Sequence, residues 1–204
     1  MWPDRETIDA YMPTNFNKLF PNTRVILDAT ETPIHKPSRV DDQSVTFSTY
    51  KNKNTLKTMI GCSPRGLVTY VSDSYGGSAS DRQIIERSEL CSSGMFDTGD
   101  SIMSDRGIMV QDLFASKYVH VNTPSMLNGK SQLNAETVVR DRRIASKRIH
   151  VERVIGLSKT FKILKRDLPH QKISLGGKIV KVCFMISNFR QAIVSGNACV
   201  NGWF

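Results

Sequence analysis

The chain has 204 residues, of which 39% are hydrophobic and 23% charged, and a formal net charge of +9, enough for one domain with a substantial core and hardly for a second complete fold. No apolar run approaches the roughly 18 residues of a membrane span, and Cys62, Cys91, Cys183 and Cys199 lie far apart, with no CxxC pair, N-glycosylation sequon or apolar leader, which excludes the signature of a secreted disulfide scaffold. A soluble, intracellular chain with reduced thiols is expected, and four scattered histidines argue against a structural zinc site.

Prolines 3, 13 and 21 bias the residues before them away from helix, so residues 1–23 read as an irregular lead-in and 24–204 as the folded domain. Arg24-Val25-Ile26-Leu27-Asp28-Ala29 is a short apolar run closing on a carboxylate, the pattern of a buried strand that ends at Asp28. After a loop over 33–39, the alternation across 45–50 predicts a half-buried strand. Residues 56–60 and 67–71 predict two more, joined as a hairpin through Ser63-Pro64-Arg65-Gly66. Ser80 and Gln83 stand at capping-box spacing and predict a helix to about Leu90. Ser101-Ile102-Met103-Ser104-Asp105 repeats the theme of a strand followed by an aspartate, with Arg106-Gly107 as the turn. A helix over 108–116, a strand over 118–122 and a loop over 123–132 then lead into a long basic helix. Gly76-Gly77-Ser78 lacks the lysine and glycine spacing of a phosphate-binding loop.

Between Arg140 and Arg166 ten Lys/Arg stand against Asp141 and Glu152 alone, so nearly all the net charge lies in 27 residues. Such a stretch attracts a polyanion through counterion release, or else is the solvated face of a basic helix. Inside it Ile144, Val151 and Ile155 form an apolar stripe, and the neighbouring row Ala145, Ile149, Glu152, Gly156 places Glu152 facing the core. An ion pair with Arg148 four residues earlier has the weaker basic-before-acidic order, worth a few tenths of a kcal/mol. An inward carboxylate calls for a stronger partner, such as a metal ion.

Taken singly, Asp28 and Asp105 read as turn or cap residues. In combination, two strand-borne aspartates and a helical glutamate are hard oxygen ligands of the kind that hold two Mg²⁺ ions about 3.5–4 Å apart for phosphodiester cleavage.

Several stretches carry a family resemblance: Trp2-Pro3, LDATE (27–31), TYKNKNTLKTMIG (49–61), LVTYVSDSYGGSASDRQI (67–84), GDSIMSDRG (99–107) and RRIASKRIHVERVIG (142–156). Together they resemble the DDE superfamily endonuclease domain of PIF/Harbinger-like, IS5-related eukaryotic transposases over nearly the whole chain. The resemblance implies an α/β, RNase H-like fold, a central mixed sheet flanked by helices, and a nuclear enzyme that cuts DNA. Asp28, Asp105 and Glu152 would be catalytic and metal-binding, holding two Mg²⁺ or Mn²⁺ ions. Asp28 would bridge both, Asp105 would complete one site, and Glu152 would serve the other while orienting the attacking water or 3′-hydroxyl.

Arg148 and Arg153 beside the glutamate, and Lys51, Lys53 and Lys57 as a second basic run beside the sheet, are candidate phosphate contacts, with a solvated face as the default for the lysines. No general-base histidine is needed, so His150 is expected to pack or to touch phosphate, and Asp81 to cap its helix. Ile108 after Gly107 departs from the aromatic residue many relatives carry there. Because the resemblance begins almost at Met1, DNA recognition is expected from a separate domain or subunit, with homodimer formation left open and no membrane partner. The rival expectation is a domesticated or decayed relative that binds DNA or protein without cutting; a nuclease for RNA in hybrids comes third.

Overall fold

The computed structural model describes residues 2–92, 94–127 and 132–199. The segment expected to be irregular carries two helices among its described residues: Asp4 caps helix α1 (Arg5–Ala10) by accepting the Thr7 N–H, and α2 (Thr14–Leu19) starts directly after Pro13. The prolines bound these short helices instead of abolishing them, because a missing N–H costs nothing ahead of a first turn. Ile8, Met12 and Phe16 are buried in the main core.

The sheet is built around β1 (Thr23–Pro33). Next come helix α3 (Val40–Thr46), β2 (Phe47–Ser48), β3 (Lys53–Cys62) and β4 (Val68–Gly76). Then α4 (Asp81–Glu86), β5 (Ser101–Met103), α5 (Gln111–Ala115) and β6 (His120–Asn122) follow. The long α6 (Ala135–Ser158), the short α7 (Lys162–Lys165) and α8 (Gly176–Ser187) complete the set. The strand order is β2-β3-β1-β5-β6, with β4 also paired to β3. β1 runs antiparallel to β3 from Ile26↔Cys62 to Pro33↔Thr55 and parallel to β5, which in turn runs parallel to β6.

Period-2 alternation sends successive β1 residues into two different helical layers. Ile26 joins Phe16, Ile144, Val151, Val180 and Phe184 on one face, while Val25 and Leu27 join Ile84, Ile85 and Phe114 on the other. A mixed sheet covered on both faces is the α/β arrangement of the RNase H-like fold.

The hairpin turn forms as expected, with Gly66 donating to the Ser63 carbonyl at a φ of +90°, which favours glycine. The capping box at Ser80 and Gln83 also forms, although α4 stops at Glu86. The half-buried strand expected over 45–50 is replaced by the end of α3 and the two residues of β2. Val45 and Phe47, whose alternation suggested a buried face, are 58% and 39% exposed. Asn54 holds this helix end in place, donating to the Gln43 carbonyl and the Thr46 hydroxyl.

Candidate active site

β1 does not end at Asp28 but continues for five residues, because its antiparallel pairing with β3 runs on to Pro33. What ends is the parallel ladder on its other edge, whose last rung is Ile26↔Met103. Asp28 lies one pleat beyond Ile26 and shares its face, the face that α6 covers. Asp105 follows β5 by two residues, in a turn closed by the Ile108 N–H donating to its carbonyl. The two aspartates therefore emerge where adjacent parallel strands part, the crevice at carboxyl ends that α/β sheets use for ligands.

α6 supplies the glutamate, though not from its core-facing row. The buried line of α6 is Ile144, Val151, Val154 and Ser158, and Glu152, one residue (about 100°) round from Val151, stands at the margin with its side chain 55% exposed. The sequence row through Ala145, Ile149 and Gly156 is likewise exposed. Glu152 lies on the rim of the site because the helix buries Val151 and Val154, with Ile155 only partly buried beside them.

The three carboxylates meet around one guanidinium. Arg148 donates from Nη1 to Asp105 Oδ1 at 2.8 Å, and its Nη2 lies 4.0 Å from both Asp28 Oδ1 and Glu152 Oε1. Asp28 and Glu152 are thus separated by no more than twice that distance, although far apart in sequence. Burial pushes the Asp28 carboxyl up to about 6, against the opposing pull of Arg148 and of the Ala29 N–H that donates to it at 3.0 Å; the charges of Asp105 and Glu152 push it up further.

Among the described residues, no three His, Cys, Asp or Glu side chains are gathered closely enough to hold a metal ion directly. The reason is visible in the spacing: the Arg148 guanidinium stands among the acids. The chemistry of the donors nonetheless fits a hard divalent cation, being three carboxylates of which one carries a burial cost that a cation would relieve.

The remaining candidates part company. Arg153 is exposed beside Glu152. Lys51 lies against the Tyr50 ring, Lys53 is 3.9 Å from Asp167, and Lys57 donates to the Ala79 carbonyl and pairs with Asp81 at 3.3 Å. The structure brings Arg148 into the site and ties Lys53 and Lys57 to other partners. His150 packs on the Phe16 ring, its Nδ1 is 2.6 Å from the Pro64 carbonyl, and burial lowers its pKa. Lys159 was not singled out in the sequence: its pKa is lowered by burial and by Lys51, and raised by Glu31 and Asp28. Its signal was the seven-residue, two-turn spacing from Glu152, which puts both on one side of α6.

A mixed sheet clad by helices, with carboxylates at the parting of β1 and β5 and a third on the covering helix, defines an RNase H-like nuclease fold with an acidic site. Residues 27–188 match the DDE superfamily endonuclease family, and the chain belongs to it. Members of that family are nucleases and transposases that act on DNA and generally use divalent metal ions. No curated protein matches the chain. Among the described residues no helix is long and apolar enough to cross a membrane.

Proposed function

We propose that this chain is the catalytic core of a metal-dependent DNA endonuclease or transposase of the PIF/Harbinger-like branch, acting in the nucleus. The observation that carries the reading is that Asp28, Asp105 and Glu152, from three remote segments, surround one guanidinium at the end of the parallel ladder. These three side chains would hold two Mg²⁺ or Mn²⁺ ions. When bound, such ions supply Lewis acidity toward the phosphate and an activated attacking oxygen.

The chain's own residues supply the rest. Asp28, on a rigid central strand and largely shielded from water, fixes the position of the centre. Asp105 and Glu152, about half exposed, face the side from which a DNA backbone arrives. The exposed Arg140, Arg142, Arg143 and Arg153 on α6 set a positive field along that approach.

Incubating the protein with supercoiled plasmid and Mn²⁺ or Mg²⁺ tests the reading. Wild type is expected to nick the plasmid and Asp105→Asn to lose that activity; equal nicking by both defeats the mechanism. DNA binding without nicking by wild type supports the second reading, a domesticated relative that binds without cutting. That reading draws on the ion pairing of Arg148 with the acids, a cation of the chain's own that partly balances their charge.

A further inference from the structure

Arg148 lies within the acidic site rather than on its rim: its side chain is only 12% exposed. Yet it is not engaged like a structural arginine. A buried arginine that anchors a fold usually grips one carboxylate with two parallel N–H donors. Here Nη1 alone makes a short bond, to Asp105. Nη2 is shared between Asp28 and Glu152 at 4.0 Å from each, and Nε is buried without a hydrogen-bond partner. One cation spread over three carboxylates at these distances has the form of a counter-ion site.

Three carboxylates held this close repel one another, the more so because Asp28 is shielded from water. Arg148 supplies the balancing charge from the same helix as Glu152, one turn earlier. We propose that Arg148 is a built-in counter-ion that holds the three acids in register before metal binds, and that it competes with divalent cations for those carboxylates. The inference rests on reading the acids as a metal centre. To admit a cation, Arg148 gives up its bond to Asp105 and moves away from Asp28 and Glu152. The affinity for metal is therefore lower than the carboxylates alone would provide.

The test is Mn²⁺ binding to the full chain by titration calorimetry, with wild type, Arg148→Met and Asp105→Asn. Met keeps the apolar stem and removes the charge. Arg148→Met is expected to bind Mn²⁺ at least tenfold more tightly and, without metal, to melt at a lower temperature than wild type. Equal or weaker binding by Arg148→Met overturns the proposal, while weaker binding by Asp105→Asn in the same series leaves the metal centre standing. Unchanged binding by Asp105→Asn sinks the metal centre itself. A second readout needs no loss of the residue. In ¹⁵N-arginine-labelled wild type, the Nε–H signal of Arg148, assigned with Arg148→Lys, is expected to shift with the same midpoint as Mg²⁺ binding. A signal unmoved at saturating Mg²⁺ overturns the competition.

Discussion

Ile26 of β1 pairs with Met103 of β5 as the last rung of their parallel ladder, and Asp28 and Asp105 lie just past it, around the Arg148 guanidinium. Two residues after Ile26 comes Asp28, and two after Met103 comes Asp105. The symmetry has a simple origin. Each strand reaches the end of its shared hydrogen bonding at the same level, and the next residue on the same face of each is an aspartate. α6 crosses that level with Arg148 and Glu152 one turn apart.

Asp28 is expected to work against the stability of the metal-free fold. Its carboxyl has an ordinary value of 3.8 and is held at about 6, chiefly by burial. A group raised in this way leaves the native state with more bound protons than the unfolded chain between those two values. The contribution of Asp28 to stability is therefore greatest below pH 4, falls as pH rises to about 6, and is level above, with a loss of roughly 3 kcal/mol from this group. Asp28→Asn removes that slope, and Arg148 still keeps Asp105. Urea unfolding in EDTA is expected to show the variant about 1–3 kcal/mol more stable than wild type at pH 8, the gap closing toward pH 4. Parallel curves across that range would mean the carboxyl is not held up in the native state.

Asp100 has the opposite sign. Burial would raise its carboxyl, but the guanidiniums of Arg24 and Arg5 and the Asp97 N–H outweigh burial and hold it below the usual range. A lowered carboxyl contributes stability above its unfolded value near 3.8, and loses it as pH falls through the native one. Asp100→Asn leaves the buried Arg24 with only Asp9 at its other end. A cost of about 3–5 kcal/mol at pH 7 is expected, shrinking in acid. Thermal melts at pH 7 and pH 3 check both parts; a cost that does not shrink at low pH contradicts the assignment.

The legible part of the molecule was its local chemistry. The capping box at Ser80, the turn at Gly66 and the aspartate closing each short apolar run depend on residues a few positions apart, so sequence displays them. The illegible part was set by partners distant along the chain. β1 outlasts Asp28 because β3 is there to pair with it, and Glu152 stands at the margin because α6 turns Val154 inward. The place of Arg148 among three acids needed the meeting of β1, the turn after β5 and α6, of which only the pairing with Glu152 lies within one turn. The same holds for the Asp100 cluster, which draws on α1, β1 and the residue just before β5.

The N-terminal helices are expected to be inseparable from the domain. Phe16 is fully buried against the His150 ring and lies in the cluster that holds Ile144, Val151 and Phe184. Phe16→Ala opens a cavity under α6 and is expected to cost about 3–5 kcal/mol in urea unfolding. A loss under about 1 kcal/mol would show that residues 1–23 are a lead-in after all.

DNA affinity is expected to depend steeply on salt, through α6. Each phosphate neutralised by a side chain adds about 0.9 to the slope of log affinity against log salt. Arg153 is exposed beside Glu152, so Arg153→Gln should flatten the slope by about 1 and weaken binding to any sequence alike. Arg142→Gln with Arg143→Gln, both exposed on the same helix, should flatten it by about 2. Lys57 provides the contrast: its ammonium is occupied by Asp81 and the Ala79 carbonyl, so Lys57→Gln should leave the slope unchanged. Fluorescence anisotropy on a labelled duplex from about 50 to 200 mM salt separates these outcomes. A slope that drops for Lys57→Gln and not for Arg153→Gln would move the DNA face from α6 to the opposite side of the sheet.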